Sequence, residues 1–288
     1  MIQVKSFAKI NLGLEVIGKR ADGYHDLRTL YQAVDLFDLL TFEPKSGEKI
    51  LLQGSDSRIP WDERNLVYRA VMAVKTRFGI SKGLKIFVQK NIPAGQGLGG
   101  GSSNAAVTLY ALNKLWELGI GKGELVEIGK TIGADVPYFL EGGFCLGTGR
   151  GDDLVPLDDL KSLYCLIYLP DITLLTSRVY ASLPLLTSTD KDSKIIRFLE
   201  SFEFRILENS LEETVFGIHP QLRNIKDLFY ELGSELALVC GSGAAVFGLF
   251  REKERALEIC GRQKDAYHLC LVKTLSRDRY WHSLEAGV

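Results

Sequence analysis

The sequence lacks the features of a secreted, metal-stapled or nucleic-acid-gripping protein. It has no Cys-x-x-Cys pair, and its five cysteines (Cys145, Cys165, Cys240, Cys260 and Cys270) stand apart in apolar surroundings. An odd, scattered set fits reduced, buried thiols better than a disulfide framework or a zinc site. The four histidines are too dispersed to suggest metal ligation, so no structural metal is implied. Basic runs are also missing, and the net charge is −1, which argues against a nucleic-acid partner. The longest nearly unbroken apolar stretch, 236–250, is broken by Gly241-Ser242-Gly243 and is too short to span a bilayer. The N-terminus begins a strand-like alternation rather than the apolar core of a signal peptide. The expectation is a cytoplasmic protein with small-molecule partners, no membrane and no implied protein partner. What the chain does have is 46% hydrophobic residues over 288 positions, enough to bury the cores of two domains.

Period-two alternation over residues 2–16 predicts one long bent strand or two strands. It places Lys9 and Asn11 on the face opposite the core. A second β-rich region covers 27–43, and 84–88 reads as a strand. Helical spacing predicts a helix over 65–78 stopped by Gly79, one capped by Ser102 or Ser103, and one over 124–132 ending at Gly133. Around 147–159 the chain turns Gly-rich and then acidic, a candidate boundary. Beyond it a strand at 163–169 precedes helical segments near 193–203, 210–216 and 221–232. Strand, turn and strand (236–239, 245–250), a helix (252–262) and a last strand (267–273) follow. Mixed elements in both halves predict an α+β protein of two domains, 1–157 and 158–288.

The strongest chemical signal is Pro93-Ala94-Gly95-Gln96-Gly97-Leu98-Gly99-Gly100-Gly101-Ser102-Ser103. Glycines let backbone N–H groups turn inward onto an anion, and a following helix adds the partial positive charge of its N-terminus. Gly95, Gly97 and Gly100 satisfy the dinucleotide fingerprint formally, but the acidic residue about twenty positions on, Glu117, falls at the end of the same helix. A Walker loop needs lysine where Gly101 stands, and the His-Arg-Asp and Asp-Phe-Gly words of protein kinases are missing. A tight turn that needs glycine only for backbone reasons is the plain alternative; five glycines in seven residues, ending in two serines, favour a phosphate cradle.

This stretch resembles the ATP-binding motif of the GHMP kinases. Ala8-Lys9-Ile10-Asn11-Leu12-Gly13-Leu14 is similar to that family's first motif, and Cys240-Gly241-Ser242-Gly243-Ala244-Ala245-Val246-Phe247-Gly248 to its third. More discriminating words are Arg20-Ala21-Asp22-Gly23-Tyr24-His25, Ile132-Gly133-Ala134-Asp135-Val136-Pro137-Tyr138-Phe139 and Gly147-Thr148-Gly149-Arg150-Gly151. Phe7 departs from the usual proline, and Ala244-Ala245 from a common hydroxyl residue. The resemblance implies a two-domain GHMP kinase fold. Its N-terminal mixed α/β domain would carry the glycine-rich phosphate loop, and its C-terminal domain would be ferredoxin-like. The implied activity is transfer of the γ-phosphoryl group of ATP, with Mg²⁺, to a hydroxyl of a small molecule.

Several site residues follow from the resemblance, each with a bland counterpart. Asp135 is the implied general base; an N-cap for a short helix with Pro137 in its first turn is the local alternative. Lys9 is its implied partner, against the default of a solvated strand lysine, and Asn11 shares its face. Tyr24 and His25 would hold a cytosine ring of a cytidyl diphosphate substrate, with Tyr180 as a second aromatic wall or a core residue. Asn65 would lie near adenine or simply cap its helix. Arg150 would meet the diphosphate or sit in a turn, and Thr176 precedes Tyr180 in the same substrate segment. Ser103 is a plausible Mg²⁺ ligand, with no carboxylate partner named. Mevalonate or homoserine as acceptor, and a nucleotide-binding regulatory protein on the same fold, are the competing readings.

Overall fold

The computed structural model describes residues 1–183, 193–263 and 267–285. The chain opens with a long antiparallel hairpin of β1 (Ile2–Lys19) and β2 (His25–Lys45). β3 (Ile50–Gly54), β4 (Gly83–Gln89), β5 (Phe144–Thr148) and β6 (Asp153–Pro156) extend it into a six-stranded sheet. The order is β3-β4-β2-β5-β6, with β1 on β2. α1 (Leu66–Phe78), α2 (Gly100–Leu115), α3 (Lys122–Ile132) and α4 (Val136–Glu141) pack on this sheet. Val4, Leu40, Phe42 and Ile86 meet Val71, Ala105 and Leu109 in the first core.

The second half is built on β7 (Tyr164–Tyr168), β8 (Leu236–Val239), β9 (Val246–Phe250) and β10 (Leu269–Lys273). These strands are all antiparallel, in the order β10-β7-β9-β8. α8 (Gln221–Glu231) leads into β8, and α9 (Lys253–Gln263) joins β9 to β10. That gives the β-α-β-β-α-β path of a ferredoxin-like unit. α5 (Thr176–Ala181), α6 (Lys194–Ser201), a 3₁₀ turn at Phe204–Ile206 and α7 (Glu212–Ile218) lie between β7 and α8. The last helix, α10 (Arg277–Glu285), leaves this unit. Its Tyr280 and Leu284 belong to the first core, with Tyr280 Oη donating to the Phe139 carbonyl at 2.7 Å. Residues 275–285 therefore pack with the half that precedes position 157, not with their neighbours in sequence.

Local chemistry explains most of these elements. Asn65 Oδ1 accepts from the Val67 N–H at 2.9 Å to start α1, and Gly79 closes it in the left-handed region. α2 corrects an expectation: it begins at Gly100 behind Gly99, so Ser102 and Ser103 lie inside its first turn and cap nothing. β1 corrects another. Its register against β2 shifts between Phe7 and Ala8, so Val4 and Phe7 both join the first core. Ala8, Ile10 and Leu12 pack with the second half instead. Both faces of the strand are covered, and Lys9 and Asn11 are buried at 4% and 2% exposure. β3, β5, β6, α5 and α10 were not expected from the sequence.

Candidate active site

Between the two halves lies a cleft of about 1190 Å³. Pro93 to Ser102 form one wall, and Asn65 sits on the same side. The loop is fixed from behind by the turn that joins β8 to β9. A Cβ added at Gly97 would stand 1.8 Å from the Cys240 carbonyl oxygen, and Gly97 has φ +77°, so glycine is required there. Asn209 in turn holds that turn, its Nδ2 donating to the carbonyls of Val239 at 3.0 Å and Gly241 at 2.7 Å. Gln96 ties the loop to the second half by donating to the Pro170 and Ile172 carbonyls, while its Oε1 is buried without a partner.

Ser103 is the one predicted residue of the loop that does not face the cleft. Its side chain is fully buried, with Oγ accepting from Ser6 Oγ at 2.7 Å, and its N–H bonds the Gly99 carbonyl. One helical position separates it from Ser102, which does line the cleft.

Opposite the loop, Lys9 Nζ lies 3.5 Å from Asp135 Oδ2 and donates to Asn11 Oδ1 at 2.7 Å. Asn11 Nδ2 donates to Thr29 Oγ1, which donates to the Gly13 carbonyl, so the amide that orients the ammonium is itself fixed. The Lys9 N–H bonds the Leu98 carbonyl at 3.0 Å, tying β1 to the glycine loop. Asp135 occupies the N-cap position of α4 but makes no side-chain cap bond. Its Oδ1 instead accepts from Tyr31 Oη at 3.1 Å. The capping alternative is thus not realised, and the carboxylate, about one-third exposed, is aimed into the cleft.

At the far end His25 and Tyr180 face each other with ring centroids 5.1 Å apart and planes at 30°. Tyr24 is half exposed, and the Arg150 guanidinium lies 5.2 Å from its ring centroid while pairing with Asp152. Thr176 Oγ1 accepts from Ser242 Oγ at 2.9 Å. The structure therefore gathers Lys9, Asn11, Asp135, Tyr24, His25, Arg150, Thr176 and Tyr180 around the same cleft as the loop.

Sequence reasoning missed three participants. Thr29 and Tyr31 alternate on β2, and Tyr31 pairs with Asn11 in register, but that period marks only a shared face and not the bond to Asp135. Lys90 also lines the cleft, its buried ammonium on the fully buried Asp38 and within 3.3 Å of Asn104 Oδ1. No local pattern marks it.

Among the described residues no three His, Cys, Asp or Glu side chains gather into a metal-holding group. Asp135 is the one carboxylate among the described residues that line the cleft. Mg²⁺ characteristically binds through one or two carboxylates, substrate phosphates and water. The donor set fits a cation that arrives on nucleotide phosphates, not one caged by protein. Nor, among the described residues, is any helix long and apolar enough to cross a membrane.

The model of the GHMP kinases N terminal domain matches residues 65–143, and that of the GHMP kinases C terminal matches residues 195–268. The first spans α1 to α4 with the glycine loop and Asp135; the second spans α6 to α9. A small-molecule kinase of the GHMP class is what fold and cleft define.

A 4-diphosphocytidyl-2-C-methyl-D-erythritol kinase of Enterococcus faecalis is 40% identical over 93% of this chain and 97% of its own length. One of Syntrophus aciditrophicus is 43% identical over 90% and 93%. A solved 4-(cytidine 5'-diphospho)-2C-methyl-D-erythritol kinase superposes with a TM-score of 0.80 at 32% identity, covering 94% of this chain and 98% of that one. Within the GHMP kinases, the chain belongs to the family of 4-diphosphocytidyl-2-C-methyl-D-erythritol kinases. A homoserine kinase of Cytophaga hutchinsonii, at TM-score 0.76 and 20% identity, shares the fold.

Proposed function

We propose that the protein transfers the γ-phosphoryl group of ATP to the 2-hydroxyl of 4-diphosphocytidyl-2-C-methyl-D-erythritol, releasing ADP, in the non-mevalonate route to isoprenoid precursors in the cytoplasm. The observation that carries this reading is the Lys9–Asp135 couple, 3.5 Å apart, in a cleft lined at one end by the glycine loop and at the other by Tyr24, His25 and Tyr180. Phosphoryl transfer needs held phosphates, neutralised charge and an oriented nucleophile. The amides of 95–101 and the start of α2 serve the first need. Asp135 takes the proton of the acceptor hydroxyl, whose oxygen bonds the γ-phosphorus as the bond to the β–γ bridging oxygen breaks. Lys9 faces the charge developing on that oxygen, and Asn11 keeps the ammonium in place.

Tyr24 stacks on the cytosine, His25 hydrogen-bonds its edge and Tyr180 is the second aromatic wall, while Arg150 and Thr176 flank the path to the diphosphate. Asn65 has a structural duty as the cap of α1 and also borders the adenine end. Ser102 is the hydroxyl on this chain that would meet a nucleotide-borne Mg²⁺, which would supply charge neutralisation.

The test is to incubate the purified protein with ATP, Mg²⁺ and each candidate alcohol and follow ADP release. Turnover is expected with the cytidyl substrate. Turnover with mevalonate or homoserine and none with the cytidyl alcohol would overturn the substrate assignment.

A further inference from the structure

The Gly147-Thr148-Gly149-Arg150-Gly151 word marks a turn, yet only Arg150 has so far been given anything to do. The two outer glycines pack on Tyr31. A Cβ at Gly147 would lie 2.7 Å from Tyr31 Cε2, and one at Gly151, where φ is +90°, would lie 2.5 Å from Tyr31 Oη. Any side chain at Gly151 is both strained and in the way of the phenol. From the other side Tyr138 stacks on the Tyr31 ring, with centroids 4.6 Å apart and planes at 27°. The ring is 2% exposed, so it has one seat, and from that seat Oη reaches Asp135 Oδ1 at 3.1 Å.

We infer that Tyr31 is a positioning residue for the phosphoryl-transfer step, its hydroxyl locking one oxygen of Asp135 so that the other faces Lys9 and the acceptor alcohol, with the Gly147–Gly151 turn as the wall that sets the phenol in place. The inference rests on Asp135 being the general base. A carboxylate at a helix start with no cap bond can rotate about its side-chain torsions, and general-base catalysis requires it within hydrogen-bond reach of the proton it takes. A phenol donor removes that freedom and leaves Oδ2 available. Burial first, then the neighbouring Asp135 charge, holds the phenol well above its ordinary range, so it stays protonated and remains a donor. The titratable groups that face it are Asp135, Lys9, Tyr138 and Tyr180.

Tyr31→Phe keeps the ring, its stacking and the glycine contacts and deletes only the donor. The expected result is a fall in kcat of roughly ten-fold, a fraction of what general-base catalysis supplies. KM for ATP and for the cytidyl alcohol should stay within about two-fold, since neither binding wall is touched. Gly151→Ala, which displaces the phenol instead of removing it, should lower kcat in the same selective way. The two effects should not add in the double variant.

An unchanged kcat in Tyr31→Phe would overturn the inference. So would a loss shared between kcat and both KM values, the mark of a merely structural ring. Asp135→Asn, assayed alongside, separates the layers. If it is inactive while Tyr31→Phe is normal, only the positioning role fails. If it retains turnover, the base assignment fails and takes this inference with it.

Discussion

A lysine on a strand is ordinarily solvated, yet Lys9 is buried with its ammonium held by Asn11 and drawn toward Asp135. Burying a cation in this way is costly unless a partner or a ligand compensates. Asp135→Asn and Lys9→Ala should each lower kcat by roughly 10²–10⁴-fold, the usual scale for a general base or a charge stabiliser. The ATP dissociation constant should change little, because the loop amides stay in place. Steady-state kinetics with nucleotide titration check this, and near-normal turnover in either variant would refute the assigned roles. At this scale Lys9, Asn11 and Asp135 were legible from short motifs. Tyr31 was not, because its partner lies 104 residues away and no window of sequence contains both. Ser103 was misread for a related reason. A glycine run shows that an anion can be cradled, but not which of two adjacent serines the helix turns inward.

The glycine loop and the turn behind it act as a pair of elements, and their fit is tested at Gly97. Gly97→Ala would press a methyl group into the Cys240 carbonyl at a backbone angle that L-residues avoid. Loss of nucleotide binding and of turnover together is expected, read by calorimetry and by ADP release; normal ATP affinity would contradict the close packing. The supporting turn is in turn held by α7, whose Glu212 accepts from the Val239 N–H at 2.9 Å and pairs with Lys226.

Burial holds the Glu212 carboxyl above its ordinary value of 4.5, against the pull of Lys226 and of that N–H. A folded-state pKa above the unfolded one gives stability that is complete below the unfolded value and lost as pH rises through the folded value. Glu212→Gln keeps an acceptor and does not titrate. The stability of the wild type relative to this variant should therefore fall as pH is raised from below 4.5 toward neutrality. Denaturant unfolding across that range measures it, and a constant difference would refute it. Helix ends and strand identities were legible at this scale wherever glycine or asparagine punctuated them, as at Asn65 and Gly79. The start of α2 was not, because left-handed Gly99 opens it in place of a serine cap, and the parity change in β1 was not, because it depends on register against β2.

Across the whole molecule, the alternation of strands and helices announced an α+β protein; the chain leaves the first sheet at Pro156 and enters the second at Tyr164. The return of α10 to the first core was hidden, since its apolar positions carry no mark of which half they serve. Tyr280 is fully buried, its ring fills the space over Gly142, and its hydroxyl bonds the Phe139 carbonyl. Trp281 Nε1 donates to the Glu141 carbonyl at 2.8 Å. Tyr280→Ala should cost about 3–5 kcal/mol, the range for deleting a large buried aromatic, read as a lower unfolding midpoint. An unchanged midpoint would show that the helix does not brace the first half.

This return also sets an order of events during synthesis. The hydrogen bond from Tyr280 to α4 spans 141 positions, so a growing polypeptide displays Asp135 long before the ribosome has made the residues that prop its helix. Until translation passes α10, the emerging N-terminal half lacks the aromatic plug of its own interior, and a messenger cut short before that point would yield a protein with every motif of the cleft and an unsupported base.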